Sequence, residues 1–148
     1  RLAAGMGLSA PYGLKDGSRI AVDSAPLIYF LENHRTLAAR FVPLFEAEAA
    51  GNIEIAVSAI AVAEVLAGPL KTGNEALASR YRRAMEAWQI VPVDAELATM
   101  AARLRAAHGL RLADAIHAAT AISTGCVALV THDRDFARLK GLRVITGT

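Results

Sequence analysis

This chain has little cysteine, little charge and no long uninterrupted apolar run. Its one cysteine, Cys126, excludes an intrachain disulfide framework and a cysteine-based zinc site, and it suits a reducing, cytoplasmic setting. Cys126 stands just before Val127-Ala128-Leu129-Val130, a segment that reads as a strand, so a buried, inert thiol is expected. Charged residues make up 20% of the 148 positions against 54% hydrophobic, which excludes a disordered chain. The uncharged stretch from Ala115 to Val130 is broken by His117, Thr120, Ser123, Thr124 and Gly125. It also falls short of the roughly 20 strongly apolar residues a membrane-spanning helix needs. No charged-then-apolar signal segment opens the sequence, and no membrane association is expected. A Gly-rich phosphate loop, a Gly-x-Ser-x-Gly elbow and a cysteine–histidine pairing are missing too.

What is present is a single-domain length with a high mean hydropathy of +0.34. Either the core is large for the surface, or a partner covers some apolar surface. The net charge of +2 permits nucleic-acid binding without demanding it. The run Arg80, Arg82 and Arg83 reads best as a solvated helix face. The run Arg134, Arg138, Lys140 and Arg143 suits a solvated face or a phosphate track equally well.

Residues 1–18 show no periodicity and are set aside as an N-terminal extension or remnant, leaving 19–148 as the domain. From Arg19 onward, short apolar runs alternate with helical patterns. Strands are expected at Ile20 to Val22, Ile53 to Val57, Gln89 to Val91, Val127 to Val130 and Leu142 to Ile145. The first helix opens at Ser24 with Pro26 in its first turn, and the next spans roughly Thr36 to Ala50. Ser58 should cap a helix running to Gly68, and Asp94 one that carries Leu97, Met100, Ala101 and Leu104. Further helices are expected over Glu75 to Ala87 and Leu112 to Ser123. Such alternation implies an α/β fold, a parallel sheet between two helical layers. In these folds reactive groups collect where the strands end, near a topological switch point.

Four acidic residues stand in apolar surroundings: Asp23 after Ile20-Ala21-Val22, Glu64 within Ile60 to Leu66, Asp114 in Leu112 to Ile116, and Asp133 after Ala128 to His132. A buried carboxylate must be neutralised, paired or bound to a cation. Asp23, Asp114 and Asp133 each suit a helix or turn cap as well as a functional role. Glu64 lies too deep in its segment to be a cap, and its helix is apolar on every side, so that helix should be buried. His117 shares a helix face with Asp114, but the other histidines show no zinc-ligand spacing. A packed or hydrogen-bonded role is expected for it.

With Asp23-Ser24, the Ser58 to Glu64 segment, Leu112-Ala113-Asp114-Ala115-Ile116-His117-Ala118-Ala119-Thr120-Ala121 and Leu129-Val130-Thr131-His132-Asp133-Arg134-Asp135-Phe136, the chain resembles the PIN-domain nucleases. Within them it is most similar to the VapC-type toxins of toxin–antitoxin pairs. The acids follow one another at 41, 50 and 19 residues (23 to 64, 64 to 114, 114 to 133). The resemblance implies a three-layer α/β/α sandwich and a Mg²⁺- or Mn²⁺-dependent endoribonuclease, with Asp23, Glu64, Asp114 and Asp133 as metal ligands. Asp135 competes with Asp133 for the fourth place. Ser24 and Thr131 would support metal-bound water, and Arg134 would contact phosphate. An RNA substrate, a cognate antitoxin and a homodimer are the implied partners, with Leu27 to Leu31 and Phe41 to Phe45 as their anchors. The rival readings are a housekeeping PIN-type nuclease acting on RNA or DNA, a receiver-like signalling domain and a catalytically inactive or antitoxin-bound interaction module. The receiver reading lacks the adjacent acids it needs, since Asp23 is followed by Ser24.

Overall fold

A computed structural model describes residues 11–133, 136, 139 and 141–147. Five parallel strands form one sheet: β1 (Arg19–Val22), β2 (Glu54–Ser58), β3 (Gln89–Val91), β4 (Ala128–Val130) and β5 (Arg143–Ile145). Six helices connect them: α1 (Ser24–Leu31), α2 (Ala38–Ala49), α3 (Ala59–Lys71), α4 (Glu75–Met85), α5 (Ala95–His108) and α6 (Leu112–Ser123). The sheet order is β3-β2-β1-β4-β5. The chain winds outward through β2 and β3 on one side of β1, then returns to build β4 and β5 on the other. The switch point therefore lies between β1 and β4, where the carboxyl ends of two adjacent strands diverge into different connections.

Strand side chains alternate between two cores, as a sheet covered on both faces requires. Ile20, Val22, Ile55, Val57, Val130 and Ile145 pack with Leu27, Phe41, Leu44, Phe45 and Val65 of the helices on one face. Ala21 and Leu129 face the other way, onto Leu97, Ala101, Ala115, Ala118 and Ala119 of α5 and α6. The sandwich expected from sequence is thus present. Helix α6 is buried over seven consecutive residues, Ala115 to Ala121, and packs on both β1 and β2. Its alanines let the helix axis approach the sheet, bringing its first turn to the rim of β1.

Two expectations fail. Helix α3 is not buried all round: only Ala61, Val65 and Pro69 are, while Ala63, Ala67 and Gly68 face solvent. Small residues raise the apolar count of a segment without supplying the area that drives burial. Phe41, Leu44 and Phe45 lie within the core at 4% exposure or less, so they are not partner anchors. In the segment before β1, Leu14 is buried in the same core, Tyr12 Oη donates to the Arg40 carbonyl at 2.7 Å, and Arg143 bonds the Tyr12 carbonyl.

Candidate active site

At the switch point the chain leaves β1 at Asp23, which also N-caps α1. Asp23 Oδ1 accepts from Ser24 N at 2.6 Å, and Oδ2 accepts from Thr131 Oγ1 at 2.8 Å. Thr131, fully buried after β4, in turn accepts from Asp133 N at 2.9 Å. One hydroxyl therefore ties the ends of the two central strands together, holding the Asp23 carboxylate and the main chain at Asp133. The capping reading of Asp23 holds, and a cap at this strand end also points the carboxylate at the cleft.

Glu64 arrives from α3, on one helical layer, and Asp114 from the first turn of α6, on the other. With Asp23, Ser24, Ala25, Arg111, Ala113 and Asp133 they line a single cavity of about 290 Å³. The four acids expected from sequence are thus brought together, with Ser24 on the wall and Thr131 directly behind. Arg134 and Asp135 fall outside the described residues, as do Arg138 and Lys140 of the basic run.

The carboxylates do not stand alone. His117 Nε2 lies 2.9 Å from Glu64 Oε1 and 3.3 Å from Asp23 Oδ1, and the imidazole is only 2% exposed. Arg111 Nε lies 3.3 Å from Asp114 Oδ2, and its terminal nitrogen reaches Asp133 Oδ2 at 3.6 Å. The His117 hydrogen bond holds the Glu64 carboxyl below its ordinary range, against the opposing effect of burial. Burial pushes His117 down, but its bond to Glu64 and the charges of Asp23, Glu64 and Asp114 together carry it above the usual imidazole value. Burial raises the Asp114 carboxyl. The Arg111 hydrogen bond opposes this, and the charges of Asp23 and Asp133 add to it. Four carboxylates therefore line the cavity, against one guanidinium and one imidazole.

Sequence reading did not assign Arg111 or His117 a place in the site. Arg111 was visible as the only Lys or Arg within three residues of Asp114. His117 carried a weaker signal, a polar ring three residues beyond Asp114 on an alanine-rich helix.

Among the described residues, no three His, Cys, Asp or Glu side chains close into a set that could hold a metal ion as they stand. The donors facing the cavity are nonetheless all carboxylate oxygens with surplus negative charge. That chemistry fits a hard divalent ion that retains much of its water shell and takes only one or two protein oxygens directly. It does not fit a dry, all-protein cage.

The fold and this acidic cleft define a doubly wound α/β protein whose site is built on the β1/β4 switch point. The model of the PIN domain matches residues 20–142, and the chain belongs to the PIN-domain family. Its fold is similar to that of VapBC2 from Rickettsia felis, solved bound to a promoter DNA fragment. That match has a TM-score of 0.69 and 21% identity over 85% of this chain and 96% of the other. A toxin–antitoxin complex from Klebsiella pneumoniae matches at TM-score 0.68 and 28% identity, over 87% and 98% of the two chains. Mycobacterium tuberculosis VapC20, a toxin that cleaves the sarcin–ricin loop, matches at 0.63 and 18% identity, over 84% and 98%. Comparison with curated proteins gave no match.

Proposed function

We propose that this chain is a divalent-metal-dependent endoribonuclease, the toxin of a type II toxin–antitoxin pair. The observation that carries the reading is the convergence of Asp23, Glu64, Asp114 and Asp133, from four different elements, on one cavity at the switch point. Membership of the PIN family and the likeness to toxin–antitoxin structures support it. The sarcin–ricin loop cleavage of the Mycobacterium tuberculosis toxin favours RNA over DNA.

In this reading the four carboxylates would hold Mg²⁺ or Mn²⁺, one or two of them directly and the others through the ion's water shell. The ion, when bound, polarises the scissile phosphate and makes nearby water a better nucleophile. The chain supplies the rest. Thr131 and Ser24 fix the orientation of Asp23, and the main-chain bond from Asp133 to Thr131 sets the approach of the last acid. The small alanines at positions 25 and 113 leave the cavity mouth open to a phosphodiester backbone. Arg111, 80% exposed at that mouth, is placed to attract the phosphate. A cognate antitoxin, and a second copy of this chain, are the proposed protein partners in the cytoplasm.

Purified protein with Mn²⁺ or Mg²⁺ is expected to cleave RNA, and EDTA to stop it. Asp23→Asn and Asp114→Asn should each lower the rate by at least about a hundredfold with circular dichroism unchanged. Full activity in Asp114→Asn would overturn the ligand assignment. Induced expression in bacteria should arrest growth for wild type and not for Asp23→Asn. Harmless expression of an active wild type would leave a nuclease without toxin function.

A further inference from the structure

We propose that His117 is a positioning residue of the acidic site: from the helical layer opposite Glu64, its Nε2–H ties Glu64 Oε1 to Asp23 Oδ1. Only the consequence for metal binding rests on the nuclease reading; the tie itself is independent of it.

The geometry fixes the proton first. Nε2 faces two carboxylate oxygens at 2.9 and 3.3 Å, and neither oxygen has a hydrogen to give when ionised. A bare nitrogen lone pair there would be repelled by both, so Nε2 carries the hydrogen and donates it, shared unequally in favour of Glu64. A nitrogen engaged in this way is not itself a metal ligand. Burial fixes the ring next. Residues on both sides of His117, from Ala115 to Ala121, are buried, so the imidazole has no solvent-facing alternative.

Glu64 has the opposite character. Its side chain is 34% exposed and has three rotatable bonds, so it would sample several rotamers over the cleft without a partner. The bond from His117 fixes Oε1, with the Ser24 side chain a weaker second partner, and the carboxylate keeps further lone pairs for a cation. Asp23 is held from three sides, by Ser24 N and His117 at Oδ1 and by Thr131 at Oδ2. His117 also places a hydrogen between two carboxylates that would otherwise repel each other and spread apart. Its helix lies on one face of the sheet and α3 on the other, so the tie spans the sheet's rim and links both layers.

Nitrogen-15 NMR of the imidazole side chains in metal-free wild-type protein tests the tie directly. Nε2 of His117 is expected to be protonated and its signal to shift in Glu64→Gln; an unprotonated Nε2, or no response to that change, would overturn the proposal. Mn²⁺ titrations followed by electron paramagnetic resonance test the consequence. His117→Leu, confirmed folded by circular dichroism, should weaken Mn²⁺ binding on the order of ten- to a hundredfold. His117→Gln carries an N–H the same number of bonds from Cα and should recover most of that loss. Equal affinity in wild type, Leu and Gln variants would reduce His117 to a packing role. A wild type that neither binds Mn²⁺ nor cleaves RNA would sink the nuclease reading instead, with the NMR result still deciding the tie. If His117→Leu does not fold, the Gln variant and the NMR signals decide it.

Discussion

Single side chains carry most of the chemistry here, and their protonation makes the site sensitive to pH. Glu64 has a folded value below its ordinary 4.5, so its contribution to stability is present above 4.5 and lost as pH falls through the lowered value. His117 has a folded value above its ordinary 6.5, so its contribution is present below 6.5 and lost as pH rises through the raised value. The pair should therefore stabilise the fold most between about 4.5 and 6.5. Melting temperatures in EDTA, wild type minus His117→Gln, should peak in that window and shrink on both sides. A difference that is flat with pH would contradict the pairing. Cys126 gives a second residue-level prediction. Burial pushes its thiol up, against the Thr124 hydroxyl, which lies 3.2 Å from the sulfur. Alkylation by iodoacetamide at neutral pH should therefore be much slower than for a free cysteine, and become comparable only in denaturant. The four acids were legible one by one because each interrupts an apolar run. The Glu64–His117 contact was not, because 53 positions separate the two and neither helix's periodicity reports on the opposite layer.

Helices and strands followed their sequence signals wherever a local cause sets the boundary. Asp94 accepts from Leu97 N at 2.8 Å and starts α5, and Ser58 accepts from Ile60 N at 3.1 Å and starts α3. Gly109 ends α5 in the left-handed region at φ 68°. Asp94→Ala should cost about 1 kcal/mol in urea denaturation. It should leave RNA cleavage unchanged, since this cap is no part of the acidic cavity. Loss of activity in a folded Asp94→Ala protein would mean that α5 does more than support α6. Burial was less legible than boundaries. The helix around Glu64 is apolar in composition, but Ala63, Ala67 and Gly68 offer little area, and that face stays open to water. Phe41 and Phe45 misled in the other direction. Large aromatics mark a surface for burial, but nothing local says whether a core or a partner buries it.

Across the whole molecule, the high hydropathy is met largely by two cores rather than by one exposed patch. Among the described residues, the large apolar side chains left exposed are Leu70, Val93, Leu112, Ile122 and Val127, drawn from α3, α6 and two loops. No described helix is long and apolar enough to cross a membrane. The proposed homodimer predicts a mass near twice 15.6 kDa in light scattering, and a monomer at every concentration would refute it. The sheet order has one more consequence. Strand β1 is made early, yet one of its two neighbours, β4, is made last but one, and Ile20 pairs with Ala128. Until that late strand is inserted, the first strand has an open side, Thr131 cannot brace Asp23, and the fourth carboxylate does not exist. A chain emerging from the ribosome therefore cannot close the acidic cleft until β4 and the residues just after it have been made. On the proposed toxin reading, a neutralising partner could then meet the growing chain before its acidic cleft is complete.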